Sequence, residues 1–170
     1  FGDGSGFGIR LSYVEETTPL GTAGPLRLAK GLLRESFIVT NGDELKDVNI
    51  PRMYRLHKRK NAKATIALTT VPDPSSYGAV IMSGTRVLKF VEKPKKGDAP
   101  SNIISAGFYI LEPGVIDMIP EGKSMLETDL FPRLAEQEQI RGFVFSGQWF
   151  DIGTLSRLEK ARKRWGKGSI

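Results

Sequence analysis

Short runs of apolar and β-branched residues recur along this sequence, and their length is typical of β-strands. The run at residues 37–40 has the length of a buried parallel strand, and the turn residues Asn41, Gly42 and Asp43 follow it. Longer apolar runs predict strands at residues 64–71 and 103–111. The same pattern predicts short strands at residues 9–14, 79–82, 87–91 and 142–145, with 79–82 and 87–91 forming a pair.

Helical periodicity separates many of these strands. Pro25 suits the first turn of a helix over residues 25–33. Further helices are predicted at residues 51–60, 115–119 and 124–136 and at the C-terminal end. Because strands and helices alternate in the first part, the pattern predicts an α/β fold with parallel strands. The sequence contains no internal repeat and no interdomain linker.

Composition narrows the class of protein. The chain has 170 residues, of which 39% are hydrophobic, so it can build the core of one domain. No apolar run approaches the length of a membrane span, and the opening segment lacks the features of a signal peptide. We therefore expect a cytoplasmic protein without a membrane partner.

The absence of cysteine excludes disulfides and thiolate metal sites. The single histidine, His57, is expected on a solvated helix face.

The positive charge is concentrated at the C-terminal end. Residues 157–167 hold six Lys and Arg against Glu159, which accounts for +5 of the formal charge of +6. Such a helix could bind nucleic acid through its cations. The alternative is a solvated basic face, and it is favoured because Leu158, Ala161 and Trp165 recur at helical spacing and would face the core. A nucleic-acid partner is therefore not expected.

Two turns offer aspartates that could bind a metal ion. Asp43 follows the strand predicted at residues 37–40, at the carboxyl edge where α/β sheets commonly bind ligands. Asp151 follows two aromatic residues and precedes the terminal helix. If the two carboxylates converge, they would make a Mg²⁺ site, since magnesium often takes one or two carboxylates together with substrate phosphates. Each aspartate alone is better explained as a turn residue or a helix cap.

Two further segments carry groups suited to a phosphorylated ligand. Glu92 and Lys93 end a predicted strand at Pro94, and only a turn there would let both side chains reach one ligand. Glu92 could accept hydrogen bonds from sugar hydroxyls, and Lys93 could neutralise a phosphate. Gly21 and Thr22 precede a predicted helix, where small residues let the backbone approach a flat ligand.

Six short motifs occur together and in order: LGTAG, NGD, YG, VEKP, SAGFY and WFDIGT. With this series the chain resembles the sugar-1-phosphate nucleotidyltransferases, also called nucleotide-sugar pyrophosphorylases, from Phe1 to about Trp165. The resemblance implies a three-layer α/β sandwich with a Rossmann-like, mostly parallel sheet. It also implies a reaction that joins a nucleoside triphosphate to a sugar 1-phosphate and releases pyrophosphate.

The resemblance also implies roles for individual residues. Asp43 and Asp151 match the family's metal-binding aspartates, and Lys93 joins them as a catalytic residue near the sugar phosphate. The remaining residues implied to contact substrates are Gly21 and Thr22 at the nucleobase and Gly78, Glu92, Ser105 and Gly107 around the sugar. Ser105 is a departure, because the family usually has Asn at this position.

The family's opening strand and Gly-rich loop, G-x-G-T-R-L-x-P, have no counterpart in this sequence. We therefore expect residues 1–170 to be the larger, C-terminal part of a catalytic domain, with a sheet that is incomplete at its N-terminal end. Loss of the phosphate-binding loop predicts that the chain alone is inactive. Exposed strand edges would favour its association with itself.

The motifs LETDLFPRL and WFDIGT favour a guanylyltransferase acting on mannose 1-phosphate or a related heptose phosphate. Uridylyl and thymidylyl transfer remain open. The alternative from another class is a non-catalytic regulatory homologue that binds a nucleotide sugar in the same cleft.

Overall fold

The computed structural model describes residues 1–167 and shows a mixed α/β fold built around one central sheet. The strands are β1 (Phe37–Thr40), β2 (Glu44–Lys46), β3 (Ala64–Thr70), β4 (Gly78–Ser83), β5 (Arg86–Glu92), β6 (Ile103–Leu111), β7 (Ile140–Val144) and β8 (Trp149–Asp151). The α-helices are α1 (Gly24–Leu28), α2 (Ile50–Arg59), α3 (Phe131–Glu136) and α4 (Leu155–Arg164). A 3₁₀-helix spans Pro113–Met118, and a π-helical turn, Leu126–Leu130, leads into α3.

The central sheet has the strand order β1-β6-β3-β7-β5-β4, and the prediction that it is mostly parallel is wrong. Among the described residues only β3 and β7 pair in parallel, whereas β6 lies antiparallel between β1 and β3. The β1–α2–β3 segment does send its two strands in the same direction. They are not neighbours, however, because the long strand β6 lies between them. A contact between Ala79 of β4 and Ile104 of β6 joins the sheet back on itself.

Apolar side chains cover both faces of this sheet, because alternate residues of a strand point to opposite sides. On one face, Ile66 and Tyr109 pack with the segment that ends in α3. On the other face, Phe108 and Ile110 pack against the buried side of α2. The chain therefore has two apolar clusters, one on each face of the sheet, and β3 and β6 contribute to both.

The strand predicted at residues 9–14 is absent, and this prediction is wrong. The N–H groups of Ile9 and Leu11 donate to the carbonyl oxygens of Gly4 and Asp3, at 3.3 and 2.7 Å. These hydrogen bonds satisfy the backbone of Ile9 and Leu11 locally, so the two residues do not pair with another strand. Ile9 is exposed in spite of its alternating pattern.

His57 is fully buried, so the expectation of a solvated histidine is wrong. Its Nδ1 lies 2.8 Å from the Thr65 hydroxyl and its Nε2 lies 3.1 Å from Glu112. Burial lowers the pKa of His57 below 6.5, although the Glu112 carboxylate opposes this shift. Burial also acts to raise the pKa of Glu112, but hydrogen bonds, the largest from Lys58, outweigh it and hold that pKa at about 2.

A small antiparallel sheet formed by β2 and β8 escaped the sequence analysis. Its register pairs Glu44 with Asp151 and Lys46 with Trp149. The Lys46 side chain is nearly buried, and its ammonium group donates to the carbonyl oxygen of Gly107 at 2.9 Å and to the hydroxyl of Thr40 at 3.1 Å. These bonds fix the small sheet to the end of β1 and the middle of β6.

Gly107 lets β6 approach this small sheet. The pairing of β3 with β6 shifts register between Ile66 and Leu68, opposite the segment that contains Gly107, whose φ is +57°. A Cβ atom at Gly107 would lie 2.2 Å from Oε2 of Glu44 and 2.5 Å from Nδ2 of Asn41. Position 107 therefore requires glycine for two reasons, its left-handed backbone and the lack of space.

We expect the unfolding free energy to decrease as the pH is lowered below about 6.5, because the unfolded chain binds a proton at His57 before the folded chain does. One such group gives a slope no steeper than about 1.4 kcal/mol per pH unit. Urea denaturation between pH 7.5 and 5 should show this slope, and His57→Asn should flatten it. An NMR titration that gives the single histidine a pKa of 6.5 or above would contradict the account.

Gly107→Ala should destabilise the fold more than Gly84→Ala. The two glycines have nearly equal φ, +57° and +58°, but a Cβ at Gly84 meets no atom within 4 Å. Gly84→Ala should therefore cost only the left-handed backbone strain, about 1–2 kcal/mol. Gly107→Ala should cost about 1–3 kcal/mol more because Glu44 and Asn41 must move. Equal losses in urea denaturation would show that the close approach at Gly107 is unimportant.

Candidate active site

Most of the site residues predicted from the sequence line one cavity of about 260 Å³. It lies near the small β2–β8 sheet, beside the ends of β1 and β5 and the middle of β6. The predicted residues that line it are Thr22, Asp43, Gly78, Glu92, Lys93, Ser105, Gly107 and Asp151. Gly21 is not part of this lining and lies one residue before Thr22. Its φ is +79°, and a Cβ there would lie 2.4 Å from the carbonyl oxygen of Ser124.

The two predicted metal-binding aspartates converge above Gly153. A Cβ at Gly153 would lie 3.3 Å from Oδ2 of Asp43 and 3.4 Å from Oδ1 of Asp151. The Ile152 N–H donates to the backbone carbonyl of Asp43 at 2.8 Å, which holds the two turns together. Pairing of β2 with β8 brings these residues together from positions far apart in the sequence.

This arrangement fits a hard divalent cation. Two carboxylates face a space that the absent side chain of Gly153 leaves open, and carboxylate oxygens are ligands that magnesium prefers. Within residues 1–167 no group of three or more His, Cys, Asp and Glu is arranged to hold a metal ion. Asp43 and Asp151 would therefore hold the cation as a pair, with the remaining ligands supplied by water or a bound phosphate.

Glu92 and Lys93 both reach the cavity because the chain turns between them. Strand β5 ends at Glu92, and Lys93 has a φ of +43°, a left-handed conformation that is uncommon for a residue other than glycine. The Lys93 N–H donates to the carbonyl of Tyr77 at 3.1 Å, which holds this turn in place. The condition set by the sequence, that only a turn lets both side chains reach one ligand, is met.

Gly78 brings the backbone of β4 close to Glu92. A Cβ at Gly78 would lie 2.2 Å from the Phe90 ring and 3.0 Å from Oε2 of Glu92. Burial raises the pKa of Glu92, and the nearby Glu127 raises it further, while Lys93 opposes both effects. The carboxyl group of Glu92 is thus less readily ionised than an exposed one.

Hydrogen bonds join Thr22 to the opposite wall through Glu127. The Thr22 hydroxyl donates to Oε2 of Glu127 at 2.5 Å and accepts from the Leu126 N–H at 2.9 Å. Tyr109 donates to Oε1 of Glu127 at 3.4 Å, and its hydroxyl lies 3.2 Å from that of Ser105. The short side chain at position 105 is therefore buried and bonded to Tyr109 and lies at the edge of the cavity.

Half of the lining residues of this cavity were not identified from the sequence as site residues, among them Glu44, Tyr77 and Glu127. Glu127 lies in the LETDLFPRL segment, where a π-helical turn directs it inward. In the sequence this segment favours a guanylyltransferase, and nothing in it marks Glu127 as a site residue.

With Glu44 and Glu127 included, five carboxylates line the cavity, and Lys93 is the only cation among its lining residues. From outside the lining, Lys46 pairs with Glu44 and Arg157 pairs with Asp151, so the remaining excess of negative charge is smaller than five carboxylates suggest. Additional positive charge would still favour an anionic ligand.

The basic helix at the C-terminal end lies beside this site. In α4, Ala161 is fully buried and Leu158 is partly buried, as the spacing predicted, whereas Trp165 is 39% exposed. Arg157 of α4 pairs with Asp151. Residues 168–170 lie outside the described residues. None of the helices described is long and apolar enough to cross a membrane.

Comparisons with known proteins identify the family. The Nucleotidyl transferase family matches residues 1–167. The chain is 40% identical over 152 residues to the mannose-1-phosphate guanyltransferase of Yarrowia lipolytica, which covers 86% of this chain and 41% of that protein. It is 42% identical over 151 residues to mannose-1-phosphate guanyltransferase beta-B of Xenopus laevis, and the match covers 86% of this chain and 41% of that protein. The chain thus spans about two fifths of the length of these relatives.

Solved structures share the fold. A Bacillus anthracis protein described as a candidate glucose-1-phosphate thymidylyltransferase superposes with a TM-score of 0.87 at 22% identity, covering 99% of this chain and 70% of that one. HddC of Yersinia pseudotuberculosis superposes with a TM-score of 0.75 at 27% identity, and the match covers 91% of this chain and 66% of that one. Since the family match extends over nearly the whole chain, the chain belongs to the nucleotidyl transferase family.

Proposed function

We propose that this chain forms part of a catalytic domain that transfers a nucleotidyl group from a nucleoside triphosphate to a sugar 1-phosphate. The observation that carries the proposal is the convergence of Asp43 and Asp151 in the cavity that also holds Glu92 and Lys93. The products are a nucleotide sugar and pyrophosphate. GTP and mannose 1-phosphate are the substrates best supported, because relatives about 40% identical carry the name mannose-1-phosphate guanyltransferase. A heptose 1-phosphate is the next candidate.

The reaction needs positioned phosphates and no nucleophile from the protein. A phosphate oxygen of the sugar 1-phosphate attacks the α-phosphorus of the nucleotide in line, and pyrophosphate leaves. Mg²⁺, held by Asp43 and Asp151, would neutralise negative charge on the phosphates. This cation would also offset the excess of negative charge in a cavity lined by five carboxylates, of which only Glu44 and Asp151 pair, within residues 1–167, with cations outside the lining.

The sugar 1-phosphate would lie between β4 and the turn after β5. Glu92 would accept hydrogen bonds from sugar hydroxyls, and the backbone of Gly78 would contact the ring from below. Lys93, at 69% side-chain exposure, is free to turn towards the sugar phosphate. Lys93 is catalytic in this proposal because it balances charge on the attacking phosphate.

The nucleotide base would lie against Gly21 and Thr22. The Thr22 hydroxyl is held by Glu127 and the Leu126 N–H, so it is fixed before a ligand arrives. Ser105 and Gly107 complete the sugar side of the cavity.

The proposal includes a three-layer arrangement of the domain, in which helical segments pack on both faces of the central sheet.

A substrate matrix tests the proposal directly. Residues 1–170 alone are expected to be inactive, so the chain is first joined to the family's Gly-rich opening segment. The joined protein is incubated with each of GTP, UTP and dTTP, and with mannose or glucose 1-phosphate, in the presence of Mg²⁺, and pyrophosphate release is measured. We expect the highest rate with GTP and mannose 1-phosphate. Tight binding of a nucleotide sugar without any pyrophosphate release would instead support the non-catalytic binding homologue.

Asp43→Asn and Asp151→Asn should each weaken binding of Mn²⁺, a spectroscopic substitute for Mg²⁺, by roughly tenfold or more, or about 1.4 kcal/mol. Each variant removes one of the two charges that face the space over Gly153. Electron paramagnetic resonance of free Mn²⁺ measures the affinity. Asp98→Asn, on an exposed loop, serves as the control and should leave the affinity unchanged. Unchanged affinity in both site variants would rule out the metal assignment.

Lys93→Ala should weaken binding of mannose 1-phosphate by about 10- to 100-fold, because a charge-assisted hydrogen bond is worth about 1.5–3 kcal/mol. Binding of mannose itself, which is much weaker, should not change. Glu92→Gln should weaken binding of both ligands. Ligand-observed NMR titrations give the dissociation constants, and Lys95→Ala is the matched control, as Lys95 lies outside the cavity lining. An equal effect of Lys93→Ala on both ligands would disprove its phosphate role.

A further inference from the structure

A second cavity, of about 450 Å³, lies on the other side of Asp151. It is bounded by α4, the small β2–β8 sheet and residues 69–72 at the end of β3. Tyr77 and Asp151 line both this cavity and the active-site cavity, so the two are neighbours that share a wall. The second cavity will be called the α4 cavity.

The α4 cavity is positively charged, in contrast to the acidic active-site cavity. Arg157, Lys160 and Arg164 line it from one face of α4, at helical spacing. Among its lining residues the only carboxylate is Asp151, and Arg157 already pairs with it. Within the described part of the chain, the side chains of Lys160 and Arg164 make no ion pair. Three clustered cations with a single carboxylate favour an anionic ligand, and guanidinium groups match the oxygens of phosphate.

Arg157 connects this cavity to the metal-binding aspartates. Its guanidinium donates to Oδ2 of Asp151 at 2.5 Å, while Oδ1 of Asp151 accepts from the Gly153 N–H at 2.9 Å. Both oxygens of Asp151 are therefore engaged, and a cation binding there must compete with Arg157. The Arg157 N–H donates to the Thr154 hydroxyl that caps α4, at 3.4 Å, so its backbone is fixed and only its side chain is free to turn.

We propose that the α4 cavity binds a phosphate group through Arg157, Lys160 and Arg164, and that the bound phosphate raises the affinity of Asp43 and Asp151 for a divalent cation. The phosphate draws the Arg157 guanidinium away from Asp151, which frees an oxygen for the cation. Binding at the two sites is then mutually favourable, because each ligand strengthens the other by the same factor. This inference rests on the proposed metal site, and it adds an anion site and a means of controlling metal occupancy.

The test measures Mn²⁺ affinity of the 170-residue protein by electron paramagnetic resonance, with and without inorganic phosphate, at constant ionic strength. Solutions without protein correct for Mn²⁺ bound by phosphate itself. The variants are Arg157→Ala, the double substitution Lys160→Ala and Arg164→Ala, and the control Arg162→Ala, which lies on α4 outside the cavity lining. Circular dichroism verifies that each variant folds.

We expect Arg157→Ala to bind Mn²⁺ about two- to fivefold more tightly than the unaltered protein, because it removes the competing cation of a partly exposed ion pair. Phosphate should tighten Mn²⁺ binding to the unaltered protein by up to the same factor and should have no effect on Arg157→Ala. The double variant should keep its Mn²⁺ affinity but lose the response to phosphate. Arg162→Ala should behave as the unaltered protein.

An unchanged or weaker Mn²⁺ affinity in Arg157→Ala would overturn the competition between Arg157 and the cation. A response to phosphate that persists in Arg157→Ala would overturn the coupling. If the unaltered protein binds no Mn²⁺, the proposed metal site fails and the coupling fails with it. The anion site is then judged separately by phosphate binding in isothermal titration calorimetry, and binding that survives all three substitutions would refute that site as well.

Discussion

Three residue pairs hold β2 and β8 side by side, and the geometry of the candidate active site depends on this pairing. The strands are far apart in the sequence, yet their register pairs Glu44 with Asp151 and brings Asp43 close to Asp151. The buried Lys46 then ties the small sheet to Gly107 of β6 and Thr40 of β1. Without these contacts the two aspartates would be turn residues on separate loops.

Close approaches of the backbone shape the rest of the cavity. Gly78 and Gly107 each leave space that a ring or a carboxylate occupies, and a methyl group at either would meet those atoms. Gly153 instead leaves open the space that Asp43 and Asp151 face. The left-handed turn at Lys93 has a related effect, because it directs two consecutive side chains into one cavity. The result is a concentration of negative charge, and such a site is suited to phosphate chemistry only with a cation present.

The sequence predicted the positions of most strands, and β1 and β6 have the bounds expected from their apolar runs. It failed on the direction of the sheet, because the run at residues 103–111 does not reveal that β6 lies between β1 and β3. It also failed on residues 9–14, whose alternation has no partner strand within the described chain. His57 looked solvated among basic neighbours, but its own side chain faces inward from α2 to Thr65.

The site residues were predicted from motifs, and only the fold shows which of them share a cavity. Three-residue strands such as β2 and β8 carry too little periodicity to be recognised, so the convergence of Asp43 with Asp151 was a hypothesis until the pairing was seen. Glu127 was missed as a site residue because a π-helical turn, which has no clear sequence signal, points it inward. The link from Arg157 to Asp151 likewise depends on how α4 packs.

The most direct test of this account is a crystal structure of the protein soaked with Mn²⁺ and recorded at a wavelength that gives the metal an anomalous signal. The account predicts one strong peak over Gly153, within about 2.0–2.3 Å of an oxygen of Asp43 and an oxygen of Asp151. A well-occupied ion elsewhere, with these two carboxylates making no contact to metal, would contradict the central claim that the β2–β8 pairing builds a cation site.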